Sequence, residues 1–386
     1  MSGFRVAGWC PDAWRPMAAG DGLLLRIKPR LARLSRDAAR AVCALAVRHG
    51  NGLIDVSRRG NLQLRGLDHA GWQAALAELL ALGLVDADSL AEARRNLLVA
   101  PGWRNGDDTQ RIAQALLARL DELPALPAKA GFVIDAGAAP VLLAEPGDFR
   151  VERSSHGGLI LRAAGRAHGV ALAPGAEVDG LIALARWFVQ SGGQGRMARH
   201  HAPLPAWAAG QDLPAALAPA WRPGPCALGM VHGAPFGRVA APVLDAALAE
   251  PGAQALRITP WRLLVVEGAG GDAVPGLIAD PADPLLRVEA CPGAPACPQA
   301  HVPTRDLAIA LAPHVRGTLH VSGCAKGCAC TRATDLVLTG RADGRFDLAR
   351  DAAAGAPPCQ APLTAQQVLD QFASCPSAEL PNAPCL

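Results

Sequence analysis

Along this chain, short runs of alternating apolar and polar residues give way to apolar positions at helical spacing, and the change of period recurs. Residues 22–28, Gly-Leu-Leu-Leu-Arg-Ile-Lys, read as a strand. Ser35 is placed to cap a helix whose buried face is Ala38, Ala39, Val42, Leu45 and Ala46. A hairpin is predicted around 58–61, then a helix over 69–82 that stops at Gly83. Asp107 or Asp108 can cap a helix carrying Ile112, Leu116, Leu120 and Leu123. Residues 131–134, 159–163 and 170–172 read as strands, and 177–190 as a helix. The Pro/Ala-rich stretch 195–225 reads as a linker. A helix after Pro303, capped by Thr304, and a late helix capped by Thr364 complete the pattern.

The pattern is duplicated. Residues 54–66 and 256–268 align without a gap at an offset of 202, matching Ile54 with Leu256, Ser57 with Thr259 and Gly66 with Gly268. The same offset pairs Arg36 with Arg238 and Val42 with Leu244. Agreement over this length favours an internal repeat. The 386 residues exceed one small core, and the predicted segments are 1–82, 83–222, 223–280 and 281–386.

Net charge is only +3, yet residues 1–70 hold twelve Arg or Lys against five Asp or Glu. This asymmetry points to a basic cavity for an anionic ligand. The stretch lacks interleaved aromatics, so no nucleic-acid partner is expected. No apolar run approaches a membrane span, and the opening lacks a signal-peptide layout. A cytoplasmic setting is expected, and it suits thiolate-bound iron.

The cysteines refine this picture. Cys291 and Cys297 flank five residues, and Cys324 and Cys328 flank three, on Gly- and Pro-rich loops. A zinc ribbon usually places two residues between paired cysteines, and ferredoxins use closer runs. Two pairs on glycine-bearing loops instead suit a [4Fe–4S] cube, with Cys330 as a rival ligand. Cys10, Cys43 and Cys226 are scattered singly, and Cys359, Cys375 and Cys385 lie in the tail.

Ser322-Gly323-Cys324-x3-Cys328-x6-Asp335-Leu336-Val337-Leu338, following Cys291-x5-Cys297, resembles the sulfite and nitrite reductase superfamily. Val337 is larger than that signature usually allows. The resemblance implies an α+β fold with two ferredoxin-like half-domains and an iron–sulfur domain. It also implies that Cys291, Cys297, Cys324 and Cys328 bind the [4Fe–4S] cluster.

By the same resemblance, Arg59, Arg95 and Lys129 fall on motifs that hold tetrapyrrole carboxylates and substrate anions. Arg65 is a further candidate, while Arg26 and Lys326 are left open between site and surface. Where the reductases carry a second lysine, this chain has Gly131, which weakens the case for proton-consuming oxyanion reduction. The wording of 15–26 and of the cysteine loops is similar to a branch that hydroxylates precorrin-3A with O2 in cobalamin biosynthesis. That branch implies precorrin-3A and O2 as substrates and a mononuclear non-haem iron, although no facial triad is evident. His320 is an open candidate ligand, with an ordinary hydrogen-bonded strand residue as the simpler expectation. No dinucleotide fingerprint is present, so an external reductase or ferredoxin must supply electrons. The alternatives are a siroheme-dependent sulfite or nitrite reductase and an iron–sulfur electron carrier.

Overall fold

The computed structural model describes residues 10–271 and 273–373. Cys375 and Cys385 lie outside them. No helix among them is long and apolar enough to cross a membrane.

Two five-stranded antiparallel sheets carry the repeat. The first runs Met17–Ala19, Gly22–Ile27, Leu62–Leu67, Leu53–Val56 and Arg238–Ala240. The second runs Gly224–Cys226, Gly229–Gly233, Leu263–Glu267, Ala255–Ile258 and Arg33–Ser35. Each copy therefore lends one strand to the edge of the other's sheet. The exchange covers a sheet edge that would otherwise present unpaired backbone groups. The helices Arg36–His49 and Ala241–Ala249 follow the exchanged strands and pack on one apolar core.

The exchange corrects the ungapped repeat. Arg238 occupies the place of Arg33, not Arg36, because strands and helix starts before the hairpin correspond at an offset of 205. Counted from those starts, Leu244 corresponds to Ala39 rather than Val42. The second helix has 9 residues against 14, and the offset returns to 202 at the hairpin.

Charge follows the exchange too. Arg238 enters the first sheet and binds Asp55 at 2.7 Å, with Arg65 on the same carboxylate at 3.0 Å. Arg33 enters the second and binds Glu267 at 2.7 Å, with Arg257 on the same carboxylate. At the offset of 202, Asp55 corresponds to Arg257 and Arg65 to Glu267, so acid and base have changed strands. The two Arg–carboxylate–Arg triads are equivalent in kind.

A third sheet runs Val170–Leu172, Leu159–Ala163, Phe149–Arg153, Phe132–Asp135 and Leu97–Val99. The helices Asp108–Leu117 and Glu177–Gln190 share its core, with Ile112, Leu116, Leu181 and Phe188 fully buried. Asp107 is the cap, accepting from the Gln110 N–H at 2.8 Å. The helix ends at Leu117, and Leu120–Glu122 forms a separate single turn. The stretch expected as a linker packs on this sheet through bridges from Asp212 and Pro214.

The fourth sheet runs Val288–Ala290, Leu319–Ser322, Thr334–Gly340 and Phe346–Ala352. Its first three strands are parallel, with Arg305–Leu311 in the first crossover. Thr304 does not cap that helix; its hydroxyl donates to the Cys291 carbonyl at 2.6 Å. Thr364 does cap the last helix, Ala365–Ala373, accepting from the Gln367 N–H at 3.2 Å.

Candidate functional site

Parallel strands explain how two separate cysteine pairs meet. Ala290 and Val321 are register partners, so the loops beginning at Cys291 and Gly323 leave the same end of the sheet. Gly293 takes a left-handed φ of 67°, and Gly327 one of 61°, which few other residues adopt. A Cβ on Gly323 would stand 2.6 Å from the Ala300 Cβ, so only glycine lets the loops approach this closely. The Gly323 N–H donates to the Cys291 sulfur at 3.2 Å.

All four cysteines are free thiols; Cys291 is buried and Cys328 exposed. Burial raises the Cys328 thiol, Lys326 opposes this, and Cys324, Cys291 and Cys297 add to the rise. Cys328 therefore lies within electrostatic reach of the other three. Among the described residues, no three His, Cys, Asp or Glu converge as they would on a single ion. In a cube each thiolate meets a different iron, so its ligands stand farther apart. Four free thiols on two loops at one end of the sheet, with a backbone N–H on one sulfur, are a donor set chemically suited to that group, while no donor set for a mononuclear iron is found among the described residues. Cys330 is buried and donates to the Arg332 carbonyl at 3.6 Å. Cys359 donates to the Leu348 carbonyl at 3.3 Å.

His320 is fully buried with neither ring nitrogen bonded among the described residues, contrary to the hydrogen bond expected of it.

The basic candidates fall into two groups. Arg95 is buried on Asp86 at 2.9 Å and on Glu92. Arg65 is buried on Asp21 at 2.6 Å and belongs to the exchange triad. Their forks face internal carboxylates, and a buried cation is stable only with such partners. These two candidates hold the fold rather than present charge to a cavity. Lys129 is exposed, and its carbonyl accepts from Arg196 at 2.6 Å.

Arg59 is different. In the turn after Leu53–Val56, the Ser57 hydroxyl accepts from the N–H groups of Arg59 and Asn61, at 3.3 and 3.1 Å. Gly60 follows at a φ of 64°. The turn sends Arg58 to the Ala329 carbonyl at 2.5 Å, between Cys328 and Cys330. Arg59 turns to Asn96 Oδ1 and, at 3.5 Å, to the Pro146 carbonyl. Burial pushes Arg59 down to about 10, with Arg196 adding repulsion.

Arg26, left open by the sequence, shares this condition. It donates to Gln63 Oε1 at 3.1 and 2.6 Å, and burial lowers it. Among the described residues, neither Arg26 nor Arg59 forms an ion pair, and each senses Cys10. Asn96 and Gln63 are the residues sequence reasoning missed. Gly131 stands beside Asn96 and Arg59: a Cβ there would lie 2.9 Å from Arg59 Nη1 and 2.8 Å from the Asn96 carbonyl. The volume a lysine would enter is already occupied.

The second turn repeats the first with other side chains. The Thr259 hydroxyl accepts from the N–H groups of Trp261 and Leu263, both at 3.2 Å. Arg262 takes the left-handed place at a φ of 62°. It pairs with Glu289 and reaches the Ala329 carbonyl at 3.4 Å. A cavity of about 520 Å³ opens here, bounded by Arg58, Glu145, Trp261, Arg262, Glu289 and Arg332.

Comparison with known proteins agrees with this architecture. Residues 15–82 match the nitrite/sulfite reductase ferredoxin-like half domain. A structure of the Mycobacterium tuberculosis NirA protein superposes with a TM-score of 0.60, covering 94% of this chain and 82% of that one at 18% identity. The fold is that of the sulfite and nitrite reductases. A Sinorhizobium protein named precorrin-3B synthase is 31% identical over 399 residues, covering 91% of this chain and 84% of the relative. The chain belongs to the precorrin-3B synthase family.

Proposed function

We propose that this chain binds precorrin-3A and hydroxylates it at C20 with O2, a ring acetate closing to a γ-lactone. Beside the family relationship, one observation carries this reading. Arg26 and Arg59 are half-buried guanidinia that form no ion pair among the described residues, in a half-domain tied to both cysteine loops. The ties are the Gly20 N–H to the Ala296 carbonyl at 3.0 Å and Arg58 to the Ala329 carbonyl at 2.5 Å. Unpaired guanidinia of this kind suit a many-carboxylate guest through charge-assisted hydrogen bonds.

Arg26 and Arg59 each hold a macrocycle carboxylate and so fix the ring relative to the cysteine loops. Exposed Lys129 offers a third cation at the rim. A [4Fe–4S] cluster on Cys291, Cys297, Cys324 and Cys328, when bound, would supply electrons singly. The oxygen atom not retained leaves as water, so an electron pair and two protons come from outside, through a separate reductase or ferredoxin in the cytoplasm. No step is assigned to a mononuclear iron.

Incubating the purified protein with reductant, labelled O2 and precorrin-3A tests the reading. The expected product is a hydroxylated lactone carrying one labelled oxygen, and no product without O2. Unlabelled lactone, or sulfite or nitrite turnover with siroheme bound, would favour the reductase alternative.

A further inference from the structure

Arg26 and Arg59 are distinguished by what holds them. Gln63 Oε1 accepts both N–H groups that Arg26 directs at it. Asn96 Oδ1 accepts from Arg59, while its Nδ2 donates to the Ala130 carbonyl. Those two partners orient the Asn96 amide, with oxygen toward the guanidinium. The backbone beneath is fixed as well: Gln63 lies in the strand Leu62–Leu67, and the Asn96 carbonyl accepts from the Phe132 N–H at 2.9 Å. The fully buried arginines Arg65, Arg95, Arg150 and Arg257 are paired with carboxylates, whereas the half-buried Arg26 and Arg59 are held by amides and Arg305 lies over the Phe236 ring.

An amide oxygen orients a guanidinium without cancelling its charge. A carboxylate of the same shape would orient it equally well and neutralise it. We propose that Asn96 and Gln63 are positioning residues that aim Arg59 and Arg26 while leaving both cations available to ligand carboxylates. This inference rests on the functional reading above. The charges around the pair are accounted for. Arg59 senses Arg196, Asp148, Cys10 and Arg26; Arg26 senses Cys10, to which it also hydrogen-bonds, and Asp12. Asp148 is already engaged by Arg196 at 3.2 Å and by the N–H groups of Gly131 and Met197 at 2.9 and 2.8 Å. Gly131 completes the arrangement by leaving the Arg59 guanidinium its space.

Asn96→Asp and Gln63→Glu are near-isosteric and test the charge alone. The full-length protein is titrated with precorrin-3A, anaerobically and without reductant, at low and high salt. Each variant should bind about tenfold more weakly or worse, the scale of a lost charged hydrogen bond. Its binding should depend less on salt, because one attracting charge has been cancelled. Its melting temperature should hold or rise, since a buried cation gains a partner. Asn96→Ala loses the aim but not the charge, so its binding should weaken while keeping the wild-type salt dependence. Wild-type affinity and salt dependence in Asn96→Asp would overturn the inference, as would a loss indistinguishable from that of Asn96→Ala. If Asn96→Asp fails to fold, Gln63→Glu decides by the same criteria. A wild-type protein that does not bind precorrin-3A overturns the functional reading, and the inference with it.

Discussion

The turns at 57–61 and 259–263 share one backbone and one anchor on Ala329, yet differ in what else they do. In each, a hydroxyl from Ser57 or Thr259 accepts two N–H groups, and the fourth residue is left-handed. The first places Arg59 and Gly60 where the second places Trp261 and Arg262. Among the described residues Arg59 has no ion-pair partner, while Arg262 gives its charge to Glu289. Duplication thus fixed the scaffold, and two substitutions within one turn divided the roles. Both copies fasten the cysteine loop, through Arg58 and Arg262, and only the first also presents a charge, on Arg59. A bulky residue at a left-handed φ is strained, and such strain persists only where surroundings hold it. Arg262 is held by Glu289 and the Ala329 carbonyl.

The largest effect is expected where both turns converge, on the loop through Ala329. Cys324→Ser should lose or degrade the iron–sulfur chromophore, because a neutral hydroxyl ligates iron poorly. Cys330→Ser and Cys359→Ser should retain it. Iron and sulfide analysis after anaerobic purification decides; a stable full cluster in Cys324→Ser would sink the assignment.

Removing the two arginines should then produce effects of different kinds. Arg262→Met leaves Glu289 with Arg58 alone, at 3.6 Å. Breaking this partly buried pair should destabilise the protein by about 2–3 kcal/mol. Arg59→Met removes a cation that no carboxylate balances, so stability should hold or rise. Precorrin-3A binding should weaken by about 1.5–3 kcal/mol. Denaturant titration and equilibrium binding separate the two, and a shared pattern would dissolve the contrast between the turns.

His320 probes the fastened side. Burial pushes it down to about 4, with Arg262 and then Arg58 adding repulsion. An unfolded histidine titrates near 6.5. The folded value is depressed, so the unfolded state binds more protons between the two. The stability this residue contributes is present above about pH 6.5 and is lost as pH falls toward 4, on the order of 2 kcal/mol. Denaturation curves at neutral and acid pH should diverge for the wild type and converge for His320→Phe.

The sequence showed what local spacing controls: the paired cysteines, the Ser35 and Asp107 caps, the hairpins and their repeat. It missed what only tertiary partners decide. Arg65 and Arg95 sit in motif stretches just as Arg59 does, yet Asp55, Asp21 and Asp86 are brought to them by the fold, and Glu92, three residues before Arg95, joins them. Asn96 is next to Arg95 in sequence, and nothing in its spacing reveals that it aims Arg59. The exchanged strands Arg33–Ser35 and Arg238–Ala240 are three residues each, too short for a periodic signal. The shift from 205 to 202 in the repeat passed unseen because Ala and Leu fill both helices.

The smallest effect tests the backbone that the turns share. Gly60 and Arg262 hold the same left-handed place, at φ 64° and 62°. A Cβ on Gly60 would meet one tight neighbour, the Ile258 carbonyl oxygen at 3.3 Å, and an ordinary contact with the Ala32 Cβ at 3.5 Å. Gly60→Ala should therefore cost the conformational penalty of a left-handed residue plus a small backbone adjustment, about 1–2 kcal/mol. Precorrin-3A affinity should change little, because Arg59 keeps its place on Asn96. The second turn already bears a side chain at this position, held there by the Arg262 contacts. If Gly60→Ala instead lost several kcal/mol or abolished binding, the two turns would not share one tolerant backbone. Denaturant titration of Gly60→Ala against the wild type gives that number directly.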